Sequence, residues 1–347
     1  MKKLLSYDDV LIIPKFSSIE SRKDVDLSTF LGRDKLIFPI MTANMDTITG
    51  SRMANEMARL GGAAAIHRFM SVEASIEEFK KAPGAWMSIG VGKDEEARYV
   101  ALKAVGCSRF LIDVAHAANA KVVTLVQRLC STEDISLVVG NFAGLDDLDY
   151  FVMRLTNNVH TNDSIQHLAQ IKAFKIGVGS GANCSTRVIT GCGIPTLQAI
   201  LDIREKYFDF PLIADGGIKN SGDIAKVLAA GANMVMIGSL LAGTDETPGA
   251  VIHPEGEKSC PSKRYSGSAS LEAYMSQGKV AAHRTPEGIS RLVPCKGPVE
   301  DVINNLTAGL RSAFSYVGAQ DLQNFKRRAK LAEASPSSHV EGTPFGK

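Results

Sequence analysis

Eight short apolar runs recur along the chain, with amphipathic stretches between them. The runs are residues 38–42, 63–66, 86–89, 110–112, 136–139, 173–176, 211–214 and 234–237. Short and nearly continuous apolar runs are typical of parallel strands that are buried on both faces. The spacers carry apolar residues at helical spacing, for example in 51–59, 97–105 and 222–230. Eight strand-then-helix units predict an α/β fold of the (β/α)8 TIM-barrel type rather than a doubly wound sheet.

Polar residues and glycines follow each of the eight runs. They include Asn44, Asp46, His67, Arg68, Gly90, Gly92, Asp113, His116, Gly140, Asn141, Asp215, Gly216, Gly217, Gly238 and Ser239. Any one of them is explained by a turn or a helix cap. All eight in step indicate an active site at the carboxyl ends of the strands, where barrel enzymes build theirs. The glycine loops after runs seven and eight are typical of a phosphate site, and Asp215 is a candidate acceptor for ribose hydroxyls.

Composition narrows the class of protein without identifying it. The chain has 347 residues, of which 45% are hydrophobic and 22% charged, and its formal net charge of +2 is spread along the sequence. The sequence has no basic patch that would indicate a nucleic acid partner, and it has no apolar stretch long enough to predict a membrane span. Six dispersed cysteines without metal-ligand spacing favour a reducing, cytoplasmic location over a disulfide framework or structural zinc.

The domain organisation that we predict is one barrel over residues 1–333. The irregular segment 250–300, rich in Gly, Ser, Lys and Pro, is expected to form a mobile flap after strand eight. Residues 334–347 are expected to form a flexible tail.

The strongest chemical signal is the sequence GVGSGANCSTR at residues 177–187. It places Cys184 on a glycine-rich turn beside hydroxyl groups and Arg187. A thiol near a cation and main-chain N–H groups is shifted towards the nucleophilic thiolate. A strand-to-helix turn with a small buried cysteine is the alternative interpretation.

The motifs taken together resemble the family of IMP dehydrogenases and GMP reductases. They are YDDVLIIP at 7–14, ANMDT at 43–47, AIH at 65–67, IDVA at 112–115, Gly140-Asn141, the Cys184 loop, DGG at 215–217, Gly238-Ser239, GLRS at 309–312 and YVGA at 316–319. They follow the order of the family across almost the whole chain, and the resemblance implies a purine nucleotide as substrate.

Within this family, the flap favours a GMP reductase. Dehydrogenases of the family usually carry a regulatory module of two CBS-type repeats between strands two and three, where this chain has only residues 67–85. They also use a long flap with an Arg-Tyr pair, whereas the flap segment 274–288 is short and has none. Segments 218–222 and 243–249 look more like a dehydrogenase, so an IMP dehydrogenase without the module is the alternative.

The resemblance implies a mechanism and a set of residues. Cys184 would attack C2 of GMP, Thr186 and Glu287 would relay a proton to the departing ammonia, and NADPH would supply a hydride to give IMP. The implied substrate contacts are Asp215, Gly216, Gly217, Gly238, Ser239, Gly267, Ser268, Ser270 and Arg284, with NADPH as the alternative partner of Arg284. The implied cofactor contacts are Arg68, Asp113, Ala115, Asn141 and Tyr316. The resemblance also implies a homotetramer and a potassium ion on the carbonyls of Gly179 and Gly181.

The chain departs from the family pattern around the substrate. Ala182 stands where serine is usual, Ser268 where methionine is usual, Arg68 where lysine is usual and Thr196 where glutamine is common. These departures keep open a third hypothesis, a nucleotide-binding relative with altered purine specificity.

Overall fold

The eight strands predicted from the sequence form one closed parallel barrel. The structure is a computed structural model that describes residues 2–132, 135–156, 168–254, 260–276 and 285–342. The barrel strands are β4 (Ile40–Thr42), β5 (Ala63–Ile66), β6 (Trp86–Ile89), β7 (Arg109–Asp113), β8 (Ser136–Phe142), β9 (Ile171–Ile176), β10 (Leu212–Asp215) and β11 (Met234–Ile237). The TIM-barrel prediction is confirmed, with strand ends that differ by up to a few residues.

Helices alternate with the strands, and the longer ones pack on the outside of the barrel. They are α1 (Ser51–Leu60), α2 (Val72–Lys81), α3 (Lys93–Ala104), α4 (Ala120–Thr132), α5 (Leu145–Leu155), α6 (Thr186–Thr190), α7 (Thr196–Lys206), α8 (Ser221–Ala229), α9 (Leu271–Ser276), α10 (Val299–Val317), α11 (Leu322–Arg328) and α12 (Pro336–Glu341). No helix in the described part of the chain is long and apolar enough to cross a membrane.

Alternation along each strand divides the core into two layers. Leu111, Ala173 and Ile213 belong to a cluster inside the barrel, whereas their neighbours Ile112 and Phe174 pack outwards against the helices. Both faces of each strand are therefore buried, which explains why the strands read as continuous apolar runs.

Short antiparallel pairs surround the barrel. Strand β1 (Val10–Ile12) pairs with β14 (Leu331–Glu333), and β2 (Thr29–Leu31) forms a hairpin with β3 (Asp34–Leu36). Leu31 and Leu36 of this hairpin join the cluster inside the barrel and close its amino end.

Two regions that the sequence predicts to be irregular contain regular structure. Within 250–300, strand β12 (Ser262–Ser266) pairs antiparallel with β13 (Ser290–Pro294), and α9 precedes the return of the chain. Strand β12 has no apolar pattern in the sequence, because polar residues occupy buried positions in it. Lys263 is one of them, and its ammonium donates hydrogen bonds to main-chain carbonyls. In the expected tail, Ser335 accepts a hydrogen bond from the Ser338 N–H and Pro336 opens α12, an arrangement typical of a helix start. The mobility of the flap and the flexibility of the tail stay predictions.

Candidate active site

A cavity of about 390 Å³ lies at the carboxyl ends of the barrel strands. Most of the predicted site residues line it: Arg68, Asp113, Ala115, Asn141, Gly179, Gly181, Cys184, Thr186, Asp215, Gly216, Gly267, Ser268 and Glu287. The sequence places these residues in different loops, and the barrel brings them together because all its strands point the same way.

The loop that carries Cys184 begins at Gly177, in close contact with the end of β10. Gly177 has a φ of 148°, and a Cβ there would fall 1.9 Å from the carbonyl oxygen of Asp215. Only glycine allows this approach. The Ser180 hydroxyl donates to the same carbonyl at 3.1 Å. The Cys184 loop is therefore anchored directly to the strand that carries Asp215.

Cys184 heads a chain of two hydrogen bonds. Its exposed thiol donates to Thr186 Oγ1 at 3.1 Å, and the Thr186 hydroxyl donates to Glu287 Oε2 at 2.7 Å. A thiol proton can thus pass through a hydroxyl to a carboxylate, which is the arrangement that activates a nucleophile. Cys107 and Cys130 are buried, and burial raises their pKa to about 11 and about 12.

Main-chain pairing holds Glu287 beside the Cys184 loop. The Ser185 N–H donates to the Glu287 carbonyl at 2.8 Å, and the Ile289 N–H donates to the Asn183 carbonyl at 2.9 Å. On the other side, the Glu287 N–H donates to the Ala269 carbonyl at 3.0 Å. The segment around Glu287 therefore lies between the Cys184 loop and the segment that carries Ser268.

A buried lysine that the sequence analysis missed lies at the base of the cavity. Lys175 Nζ is 2.9 Å from Asp215 Oδ2 and 3.1 Å from Asp113 Oδ1, and it also donates to Asn141 Oδ1. Burial alone would lower the pKa of Lys175, but the charges of Asp215 and Asp113 outweigh burial and raise it. Burial would likewise raise the pKa of Asp113, but the charges of Lys175 and Arg68 lower it. Alternation could have found this group, because Lys175 is two residues after the inward-facing Ala173.

The wall on the side of Arg68 combines one charge with apolar surface. Arg68 Nη1 is 3.4 Å from Glu95 Oε1, and its guanidinium lies 4.9 Å from the centre of the Phe69 ring. Phe69, Val114 and Ala115 also line the cavity. This wall therefore offers a cation together with aromatic and aliphatic surface, which are groups that can contact the face of a flat ring.

Of the predicted phosphate loops, Gly216 lines the cavity, whereas Gly217, Gly238 and Ser239 are not part of its lining. A Cβ at Gly217 would fall 3.1 Å from the Tyr7 ring, and one at Gly238 would fall 3.4 Å from the Tyr265 hydroxyl. Tyr265 lines the cavity, and burial raises its pKa to about 12, so its hydroxyl is a neutral donor. The sequence analysis missed Tyr265 because strand β12 carries no apolar pattern.

Two of the predicted contacts, Ser270 and Tyr316, are not brought to the cavity. Ser270 is fully buried and accepts a hydrogen bond from the Ala273 N–H, so it caps α9. Tyr316 is 60% exposed near the end of α10, where Arg22 lies over its ring. Arg284 lies outside the described residues. The Gly181 carbonyl accepts the Cys184 N–H at 3.0 Å, and potassium binding at Gly179 and Gly181 stays a prediction.

Comparisons with known proteins agree with the fold and the motifs. The family model described as "IMP dehydrogenase / GMP reductase domain" matches residues 4–345. A GMP reductase from Streptococcus pneumoniae is 35% identical over 330 residues, covering 93% of each chain. An inosine-5'-monophosphate dehydrogenase from Nitrosopumilus maritimus is 30% identical over 470 residues, covering 99% of this chain and 98% of its own. The crystal structure of a GMP reductase variant from Trypanosoma brucei with guanosine 5'-monophosphate superposes with a TM-score of 0.86 at 26% identity, covering 100% of this chain and 98% of that one.

Proposed function

The chain belongs to the IMP dehydrogenase / GMP reductase family of purine nucleotide oxidoreductases, and within it we propose that this protein is a GMP reductase. It would convert GMP to IMP and ammonia at the expense of NADPH. The observation that carries the proposal is the hydrogen-bonded chain from Cys184 through Thr186 to Glu287. It joins a nucleophile to a carboxylate that can deliver a proton to a leaving amine.

The first half of the proposed reaction replaces an amine by sulfur. The Cys184 thiol gives its proton through Thr186 to Glu287, and the resulting thiolate forms a bond to C2 of the purine. The bond between C2 and the exocyclic nitrogen breaks, and Glu287 returns the proton through Thr186 so that ammonia leaves. Cysteine suits this role because a thiolate both attacks and leaves readily.

The second half reduces the bound purine. NADPH, when bound, supplies the hydride that C2 accepts. The bond between C2 and Cys184 Sγ then breaks, which releases IMP and restores the thiolate. The wall formed by Arg68, Phe69 and Ala115 would hold the nicotinamide against the purine, and Asp113 and Asn141 lie close to it.

The remaining predicted residues would hold the nucleotide. Asp215 would accept hydrogen bonds from the ribose, while the main chain of Gly216, Gly217, Gly238 and Ser239 would bind the phosphate. We add Tyr265 to this group, because its buried hydroxyl lies beside Gly238. Gly267 and Ser268 would face the base.

The relatives include both activities at similar identity, so an IMP dehydrogenase is the competing proposal. Purified protein is given GMP with NADPH in one reaction and IMP with NAD in another, with absorbance at 340 nm and ammonia recorded. We expect absorbance to fall and ammonia to appear only with GMP and NADPH. A rise in absorbance with IMP and NAD would contradict the assignment.

The same assay separates a relative that binds nucleotides without turning them over. Calorimetry with GMP and IMP is run beside it, because Ala182 and Ser268 depart from the family pattern at the expected nucleotide site. Heat of binding without turnover under either nicotinamide cofactor would favour the binding protein.

A further inference from the structure

We propose that Lys175 is a positioning residue that fixes Asp215 in the orientation in which this carboxylate binds the ribose of the nucleotide. The inference rests on the proposed function, since it concerns the same nucleotide site. None of the sequence motifs includes Lys175, and the reaction does not use it directly.

Strand register brings Lys175 to this place. Asp113 on β7 is paired with Gly140 on β8, which is paired with Lys175 on β9. A Cβ at Gly140 would fall 2.5 Å from the Cβ of Lys175. Because glycine leaves this space free, the lysine stem can cross β8 and reach Asp113 from two strands away.

The contacts of Lys175 leave one oxygen of Asp215 available. Lys175 Nζ contacts Oδ2 at 2.9 Å, and Asn141 Nδ2 donates to the same Oδ2 at 2.8 Å. Among the described residues, no hydrogen bond to Oδ1 is found. The Asp215 side chain is 22% exposed and lines the cavity. Fixing Oδ2 therefore turns Oδ1 into an acceptor for a ligand hydroxyl.

The orientation of the Asp215 carboxylate depends on the positive charge of Lys175. The Lys175 side chain is only 2% exposed, and the carboxylates of Asp113 and Asp215 both bind it. Removing one partner from a buried ion pair leaves an uncompensated charge. Without the ammonium, two carboxylates at the mouth of one barrel would repel each other, and Asp215 would turn towards solvent.

A second buried lysine shows that burial alone does not require this arrangement. Lys263 is 5% exposed, and its ammonium donates to the carbonyls of Thr244, Asp245 and Thr247 at 3.0, 3.2 and 2.8 Å. None of these three residues lines the cavity. Main-chain carbonyls suffice to bury a lysine in this fold, so the choice of two cavity carboxylates for Lys175 points to the ligand.

The test combines a change in the protein with a change in the ligand. Calorimetry measures the binding of GMP, 2'-deoxy-GMP and 3'-deoxy-GMP to the wild type, to Lys175→Met and, as a matched control, to Lys263→Met. A hydroxyl bound to a carboxylate is worth roughly 10- to 100-fold in affinity, so the wild type should bind at least one deoxy nucleotide that much more weakly. In Lys175→Met this ratio should fall below about threefold, because the acceptor is no longer oriented. In Lys263→Met the ratio should stay at its wild-type value.

A purely structural role gives a different pattern. GMP and its deoxy analogues would then lose affinity in parallel in Lys175→Met, and an unchanged ratio overturns the proposal. So does a wild type that does not distinguish either deoxy nucleotide from GMP.

Two further measurements keep the test decisive. If Lys175→Met does not fold, Gly140→Ala displaces the lysine stem while keeping its charge, and it should reduce the same ratio. A wild type that binds IMP but not GMP contradicts the proposed function alone, and the ratio is then measured with IMP and its deoxy analogues. A wild type that binds neither nucleotide overturns both proposals.

Discussion

The two ends of the barrel differ in the side chains that fill its interior. At the amino end, Leu31, Leu36 and Trp86 fill the interior and are nearly inaccessible. At the carboxyl end, the last inward positions of β7, β9 and β10 carry Asp113, Lys175 and Asp215. Each of these three strands thus changes from an apolar to a charged residue within one step of its alternation. Stability should depend on the amino end and turnover on the carboxyl end.

The largest effect should come from replacing the proposed nucleophile, Cys184, at the carboxyl end. Cys184→Ala removes the atom that would bond to the purine, and we expect turnover to fall on the order of 10⁴-fold or more. The thermal midpoint should stay unchanged, because the side chain is exposed. Turnover of GMP or IMP and thermal unfolding are measured together. Cys192→Ala is the matched control, since this exposed thiol has no contact with the relay. An equal loss of turnover in Cys184→Ala and Cys192→Ala would contradict a specific role for Cys184.

The second prediction concerns the proposed proton relay at the carboxyl end of the barrel. Glu287→Gln keeps the shape of the side chain but removes the proton acceptor, so kcat should fall by about 10²- to 10⁴-fold. Nucleotide affinity should stay close to that of the wild type. Rapid-quench kinetics measure the rate of the chemical step, and calorimetry measures nucleotide affinity. The control is Glu272→Gln on α9, an exposed carboxylate near the same segment. A change in affinity without a change in kcat would show that Glu287 holds the ligand instead.

The difference between the two ends also explains what could be predicted from the sequence. The barrel was predictable because two buried faces make each strand an apolar run, as in Met234–Ile237. The motifs indicate Cys184, Thr186 and Glu287, and the fold brings them together although 101 positions separate Thr186 from Glu287; their catalytic roles stay predictions.

Lys175 and Tyr265 were missed for a physical reason. Both are polar residues whose burial depends on partners from distant strands, and an apolar pattern does not record such partners. Alternation along β9 indicates that Lys175 points inwards, but its partners follow from the register between strands, which only the folded barrel shows.

At the amino end, the expected change is in stability. Leu31→Ala removes a side chain that is 2% exposed inside the barrel, which should cost about 3 kcal/mol of unfolding free energy. The kcat should stay within about twofold of the wild type once the protein is folded, because stability and turnover depend on opposite ends. Denaturant unfolding and steady-state kinetics measure the two quantities. Phe30→Ala changes the exposed neighbour on the same strand and should cost little. A large loss of kcat in Leu31→Ala would mean that the two ends are coupled.

The smallest effect concerns His67, where the apolar interior meets the charged end. Burial lowers the pKa of His67 to about 4, and its Nδ1 accepts the Phe69 N–H at 3.1 Å. In the unfolded chain this imidazole takes up a proton near pH 6.5, whereas in the folded protein it stays neutral until about pH 4. The unfolded state therefore binds more protons between these values, and stability falls as the pH falls through that window. Between pH 7 and pH 5, His67 therefore lowers the free energy of unfolding by about 2 kcal/mol.

His67→Gln should be less stable at pH 7 but should lose about 2 kcal/mol less than the wild type between pH 7 and pH 5. Denaturant unfolding across this range measures the difference, and parallel pH profiles for the two proteins would show that the imidazole is not held neutral by burial.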